Sequence, residues 1–326
     1  MDDADVRKVR EILFRRAGIE LGEERRYLVV ERLGAMAREL AYESAADLVR
    51  RAPAEQLDQA VLEALTTHET SFFREPQVFE ALRMHVLPEL IASARQHRRL
   101  WLWSAAASTG QEAYSLAMQL HASFPEVHDW DVRIFATDLS ARVVGRIERG
   151  LYTEWETRRG LPPHLHSRYL VRRGGEWEVV PELRRWVRAS QLNLIDAWPT
   201  SLRDLDLVLV RNVLIYLHDG ARWAILRRVR DVLKPRGRLV LGSSESRIRG
   251  SELFEAQRLG GALFHRPPGF GDELEETKPY RRLPAALRAP RDVRRTKSGT
   301  GVTDTAELED IARALRASAA ALKKVR

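Results

Sequence analysis

Residues 100–118 read LWLWSAAASTGQEAYSLAM, an apolar run that ends in a loop of small residues and passes directly into a helix. Leu100 to Trp103 has the pattern of a buried strand, and Ala105, Ala106, Ala107 and Gly110 keep the turn behind it thin. Tyr114, Leu116 and Met118 begin an apolar helical face. Strand, tight loop and helix make the cofactor corner of doubly wound α/β folds. Small side chains let a ligand approach the backbone there, and the unpaired N–H groups of the helix start offer donors. The stretch has neither GxGxxG nor the lysine of a phosphate-binding loop, so taken alone it is equally well a plain buried strand and turn.

The 326 residues are enough for two domains, and a hydrophobic fraction of 44% is that of a globular protein. No apolar run approaches the ~18 residues of a membrane span, and the charged start MDDADVRKVRE is unlike a secretory signal. A cytoplasmic protein without membrane insertion is expected. The absence of cysteine excludes disulfides, thiolate nucleophiles and cysteine-ligated metals. A formal charge of +8 and a pI near 10.0 favour an acidic partner: nucleic acid, an anionic membrane or an acidic protein surface. An arginine-rich solvated surface accounts for the same charge.

From Ala4 to about Thr67 the pattern is helical throughout, broken at Gly18, Gly22 and Pro53. Val29, Leu33, Met36 and Leu40 make one apolar stripe on a helix starting near Glu24, with Arg25 and Arg32 together on another face. Residues 66–76, TTHETSFFREP, then pack polar and aromatic side chains closely before a helix over Gln77–Ala92. Phe72 and Phe73 read as core anchors, and Arg74 is placed to face a cleft between two domains.

A second apolar strand, Val132–Ala136, ends in Thr137 and Asp138, ahead of a helix over Ser140–Arg149. An acidic residue at the end of the second strand accepts hydrogen bonds from ribose hydroxyls; a capping Asp is the alternative. Residues 165–190 leave the α/β alternation. A hairpin around Gly174 and Gly175, with a third strand near Trp186–Ala189, reads as a small β insertion. Leu205–Val210 is the most apolar strand, and it runs into Arg211 and Asn212, a polar pair that needs partners. A helix over Gly220–Leu233, a strand over Arg238–Gly242 and a last strand at Leu263–Arg266 complete a repeated βαβ pattern. Beyond Pro267 the composition turns to charge, proline and arginine, followed by an alanine-rich helix over Ala306–Val325. That tail is either disordered or the first helix of something further. His164 and His166 form an isolated pair without acidic companions, and no metal site is expected.

Four motifs, in order, carry a resemblance over residues 1 to about 267: TTHETSFFRE, WSAAASTGQEAYSLAM, FATDLS and VRNVLIYL, with Asn193 and Leu194 between the last two. Together they resemble the chemotaxis receptor methyltransferases of the CheR type. The resemblance implies a Rossmann-like, doubly wound methyltransferase domain over 71–267 with a β insertion, preceded by a small all-α domain over 1–70 and followed by a linker and helix over 268–326. It implies that S-adenosylmethionine gives its methyl group to glutamate side chains of bacterial chemoreceptors, leaving S-adenosylhomocysteine. Contacts to that cofactor would come from His68, Thr70, Arg74, Glu112, Asp138, Asn193, Leu194, Arg211 and Asn212. Asp138 would take the ribose hydroxyls, and Asn193 and Leu194 would lie near the adenine. Arg74 and Tyr216 would orient the reacting groups. Two positions depart from the family's usual residues: His68 replaces Asn and Ala113 replaces Pro.

Receptor methylation helices carry glutamates, so Arg25 and Arg32 become docking residues for an acidic surface. In the family the β insertion can grip a peptide at the receptor's carboxyl terminus. The hairpin here looks shorter than in members that do so, and recognition without a pentapeptide tether is expected. Two rivals remain: a nucleic-acid methyltransferase, for which there is neither an Asn/Asp-Pro-Pro-Tyr run nor a cysteine, and a binding module that keeps the fold without transfer.

Overall fold

Seven strands make the main sheet: β1 (Arg99–Ala105), β2 (Asp131–Asp138), β6 (Val187–Gln191), β7 (Leu205–Val210), β8 (Leu233–Leu241), β9 (Glu255–Leu259) and β10 (Ala262–Arg266). They lie in the order β6-β2-β1-β7-β8-β10-β9, and the carboxyl ends of the central strands are level. The computed structural model of the chain describes residues 1–269, so the tail helix expected over Ala306–Val325 lies outside the described residues. Strands β6, β2, β1, β7 and β8 pair in parallel, whereas β10 joins β8 and β9 antiparallel. Ala105 at the end of β1 is in register with Thr137 of β2 and Val210 of β7, and Val210 is in register with Leu241 of β8. The residues that follow, Ala106, Asp138, Arg211 and Gly242, therefore emerge along one edge. The strand order reverses at β1, which makes this edge the expected ligand crevice of an open α/β sheet.

Burial on both faces explains the near-continuous apolar strands. All six residues of β7 are buried, Asp206 among them; its carboxylate accepts from Lys234 Nζ at 2.6 Å and from the Trp101 N–H at 2.9 Å. Helix α7 (Gln111–Ser123) packs its apolar length into the core on one face, while α12 (Asp219–Val232) covers the other. Helix α8 (Ala141–Arg149), capped by Ser140, follows β2.

The amino-terminal helices α1 (Asp3–Ala17), α2 (Arg26–Glu39), α3 (Ala45–Arg51) and α4 (Ala54–Leu65) enclose a core of their own that includes Leu13, Leu33, Leu48 and Val61. Gly18 ends α1 with φ 67°, and the chain then runs antiparallel to the segment after β7: Ile19 bridges Leu217, the Glu20 N–H donates to Tyr216 O at 3.0 Å, and the His218 N–H donates to Gly18 O at 2.9 Å. Helices α5 (Pro76–Ala81) and α6 (Leu87–Ala94) are joined by a π turn over Leu82–Val86 just before Pro88, which has no N–H to continue an α-helical ladder.

The insertion differs from the sequence expectation. Its sheet is β3 (Leu151–Tyr152), β5 (Glu176–Val179) and β4 (Leu170–Arg173), in the order β3-β5-β4, with short helices α9 (Glu154–Arg158), α10 (Pro163–Tyr169) and α11 (Pro181–Arg184) around it. The strand near Trp186–Ala189 is not part of it. Val187–Gln191 pairs in parallel with β2 as the edge of the main sheet. An edge strand faces solvent, so Arg188, Ser190 and Gln191 give it the polar look of a surface hairpin. The true third strand, β3, is too short to leave a periodic signal.

The β1–α7 loop turns through left-handed backbone at Ala106 (φ 52°), Ser108 (φ 51°) and Gly110 (φ 95°). A Cβ at Gly110 would lie 3.0 Å from the Tyr152 hydroxyl, which itself donates to Thr109 O at 2.8 Å. Gly110→Ala should cost about 1–3 kcal/mol for the forced conformation. Thermal denaturation should show a melting temperature lower by at least ~2 °C; an unchanged value would mean that the loop relaxes without strain.

Candidate active site

The loops at the carboxyl edge of the sheet and the helical module enclose a cleft with about 1320 Å³ of empty space, its open mouth included. Asp138 ends β2 and Leu139 follows it, Ala106 to Ser108 come from the β1–α7 loop, and Arg211 to Val213 follow β7. Ile19, Glu20 and Leu21 close it from the α1–α2 turn. His68, Thr70, Arg74, Glu112, Asp138, Asn193, Leu194, Arg211, Asn212 and Tyr216 all line this one cleft.

Their polar atoms are not equally free. Arg211, with its side chain only 1% exposed, donates from Nη1 to Glu112 Oε2 at 2.7 Å and from Nη2 to Arg74 O at 2.7 Å, with Glu75 Oε1 at 3.6 Å. Its Nε is buried without a partner among the described residues. The other oxygen of Glu112 accepts from Ser104 Oγ at 2.7 Å. Arg211 and Glu112 thus bind each other before either binds a ligand. Asn193 donates from Nδ2 to Arg16 O at 2.6 Å, and its Oδ1 accepts from the Ile195 N–H at 3.3 Å, so this amide fastens the end of α1 to the sheet.

Arg74, like Arg32, has no carboxylate partner among the described residues. Its side chain makes one hydrogen bond among the described residues, from Nη1 to Glu69 O at 3.1 Å. Left-handed residues flank it, Phe73 at φ 47° and Glu75 at φ 60°. Such strain needs support, which buried Phe72 and Phe73 supply, with the Phe73 N–H held by Ser115 Oγ at 2.9 Å. The Tyr216 hydroxyl has no hydrogen bond among the described residues.

Asp138 is buried, and its carboxylate accepts from the Ser108 N–H at 2.8 Å and the Ser140 N–H at 3.1 Å. Burial lifts its carboxyl above the ordinary value, against the pull of these N–H groups and of nearby His68. Each oxygen keeps a further lone pair for an incoming hydroxyl. His68 approaches Thr66 Oγ1 with Nε2 at 2.9 Å; because that hydroxyl donates to Leu62 O at 2.8 Å, the contact calls for a protonated Nε2. The imidazole is thereby held by its own loop.

Arg25 and Arg32, expected to dock an acidic receptor surface, line the cleft wall. Arg32 Nη1 reaches Thr66 O at 3.5 Å, and Arg25 Nε lies 3.7 Å from Glu24. His166 packs edge-on against Trp177 with 4.4 Å between ring centroids. Sequence reasoning missed Ser108, Glu75 and Glu245. Glu245 left a positional signal, since it closely follows a strand's carboxyl end.

A family model described as CheR methyltransferase, SAM binding domain, matches residues 68–258. Chemotaxis protein methyltransferase 1 of Pseudomonas aeruginosa is 39% identical over 251 residues, 75% of this chain and 90% of that protein. Chemotaxis protein methyltransferase Cher2 of Pseudomonas putida is 37% identical over 249 residues, 74% of this chain and 90% of its own. The chemotaxis protein methyltransferase of Vibrio parahaemolyticus is 32% identical over 272 residues, covering 82% and 98% respectively.

The donor set fits S-adenosylmethionine: a buried carboxylate for hydroxyls, a free guanidinium for a carboxylate, and a thin loop between them. Asp138→Ala should abolish its binding by calorimetry while leaving the circular dichroism spectrum intact; unchanged affinity would remove Asp138 from the site. Hydroxyl donors favour the ionised acid, so wild-type affinity should fall as pH drops through the raised pKa of Asp138, at a higher pH than the ~3.9 of a free aspartate.

Proposed function

The chain belongs to the CheR methyltransferase family and is an S-adenosylmethionine-dependent methyltransferase of chemoreceptors, and we propose that it esterifies glutamate side chains of their cytoplasmic methylation helices. The observation that carries this reading is the convergence, on one cleft, of buried Asp138 with two groups that have donors to spare, Arg74 and Tyr216.

The cofactor supplies an electrophilic methyl group on a sulfonium. A solvated glutamate side chain, which titrates near pH ~4.3, is already ionised at neutral pH and needs no general base. The protein's work is placement. Holding a reactant in line can remove roughly 7–11 kcal/mol of barrier. Asp138 takes the cofactor's hydroxyls; Thr70, Asn212 and Leu194 shape its walls; Arg211 and Glu112 act by fixing the loops. Arg74 and Tyr216 donate hydrogen bonds that orient reacting groups, and neither needs to move a proton. His68, bonded to Thr66, contributes its ring to the wall.

Arg25 and Arg32, on the helical wall of the cleft, attract the acidic receptor helix and guide a glutamate inward. The receptor is engaged directly, without a carboxyl-terminal pentapeptide tether: β4 and β5 of the insertion have only four residues each, joined at Gly174 and Gly175. The setting is the cytoplasm. Among the described residues, no helix is long and apolar enough to cross a membrane.

Incubation with methyl-labelled cofactor and receptor cytoplasmic fragments, with RNA and DNA in parallel, should give base-labile label on the receptor alone. Label on nucleic acid, or base-stable label, would overturn the reading. Tyr216→Phe should lower turnover more than cofactor affinity, and normal turnover would dismiss its hydroxyl. Docking through Arg25 and Arg32 requires the Michaelis constant for receptor to rise with salt; a salt-independent constant would remove electrostatic docking.

A further inference from the structure

Glu245 lies in the turn after β8 and is fully buried. Its Oε2 accepts from the N–H groups of Asn212 at 2.6 Å and Gly242 at 2.9 Å, and its Oε1 from those of Leu214 at 2.7 Å and Ile215 at 3.3 Å. No cation pairs with it among the described residues. Three of the four donors belong to the segment between Arg211 and Tyr216, which enters left-handed backbone at Asn212 (φ 60°) and then forms a 3-10 turn over Leu214–Tyr216. A turn that starts this way presents successive N–H groups with no carbonyl opposite, and buried N–H groups require an acceptor. One carboxylate meets them all. Gly242 leaves it room: a Cβ there would lie 2.6 Å from Glu245 Oε2 and 2.9 Å from Asn212 Nδ2.

We propose that Glu245 is a positioning residue for methyl transfer, holding the Arg211–Tyr216 segment so that Tyr216 faces the acceptor carboxylate. The inference rests on the reading of Tyr216 given above. Glu245 touches neither reactant. It acts from beneath the segment, while the Glu20 N–H holds the Tyr216 carbonyl from above at 3.0 Å. Burial raises the Glu245 carboxyl above its ordinary value against the pull of the four N–H groups.

Glu245→Gln sets an NH2 group against N–H donors. It should lower kcat at least ~10-fold while leaving the cofactor Kd and the receptor KM within about 2-fold. Hydrogen exchange at the amides of Asn212, Leu214 and Ile215 should accelerate at least ~100-fold. If Glu245 works through Tyr216, Glu245→Gln combined with Tyr216→Phe should be no slower than Tyr216→Phe alone. Gly242→Ala displaces the same carboxylate from the other side and should reproduce the split between kcat and KM.

Unchanged kcat in either single variant, or multiplicative losses in the double variant, would overturn the proposal. So would failure of both single variants to fold, which would make Glu245 a stability residue only. Wild-type protein inert toward receptor fragments would refute the methyl-transfer reading itself; accelerated exchange in Glu245→Gln would then still show a segment anchor, with no transfer role.

Discussion

The ion pair between Arg211 and Glu112 holds the site together. Its 2.7 Å contact joins the end of β7 to the start of α7, and through Arg74 O and Ser104 Oγ it reaches the 68–76 loop and β1. A pair this enclosed is weak evidence of net stability, because desolvation offsets most of the attraction. Removing one member is another matter, at about 3–5 kcal/mol for the charge left behind. Its value here is geometric. Several loops with left-handed residues are fixed relative to one another by charges that solvent does not screen.

That pairing also separates roles among the polar residues of the cleft. Arg211, Glu112 and Asn193 bond to the protein itself, and Asp138 is half engaged through the Ser108 and Ser140 N–H groups. Arg74, Arg32 and Tyr216 remain with donors free. A cleft needs both kinds: residues that hold its shape in the absence of ligand, and residues whose hydrogen bonds are completed only by one. Preorganisation of the first kind lets the second act without reorganising.

The sequence made the fold and the meeting of the loops legible, because strand ends followed by small or polar residues carry a period and a position. Leu100–Trp103, Val132–Ala136 and Leu205–Val210 read directly as the central strands, and their exits supplied the site. It did not make bonding legible. Nothing in VRN distinguishes an arginine that holds Glu112 from one that holds a ligand, and nothing in TTHETSFFRE shows that Phe73 and Glu75 are strained around Arg74. Trp186–Ala189 reads as part of the insertion because an edge strand and a surface hairpin share the same alternation. Glu245 showed only by its position after a strand's carboxyl end, because a buried carboxylate with only backbone partners looks, in sequence, like a solvated one.

The short antiparallel contact between Ile19 and Leu217 brings together positions far apart in the described chain. Such a pairing costs loop-closure entropy before it returns any contact energy. A ligand that touches both walls of the cleft binds only where this seam is closed, so bound cofactor stabilises the seam by mass action.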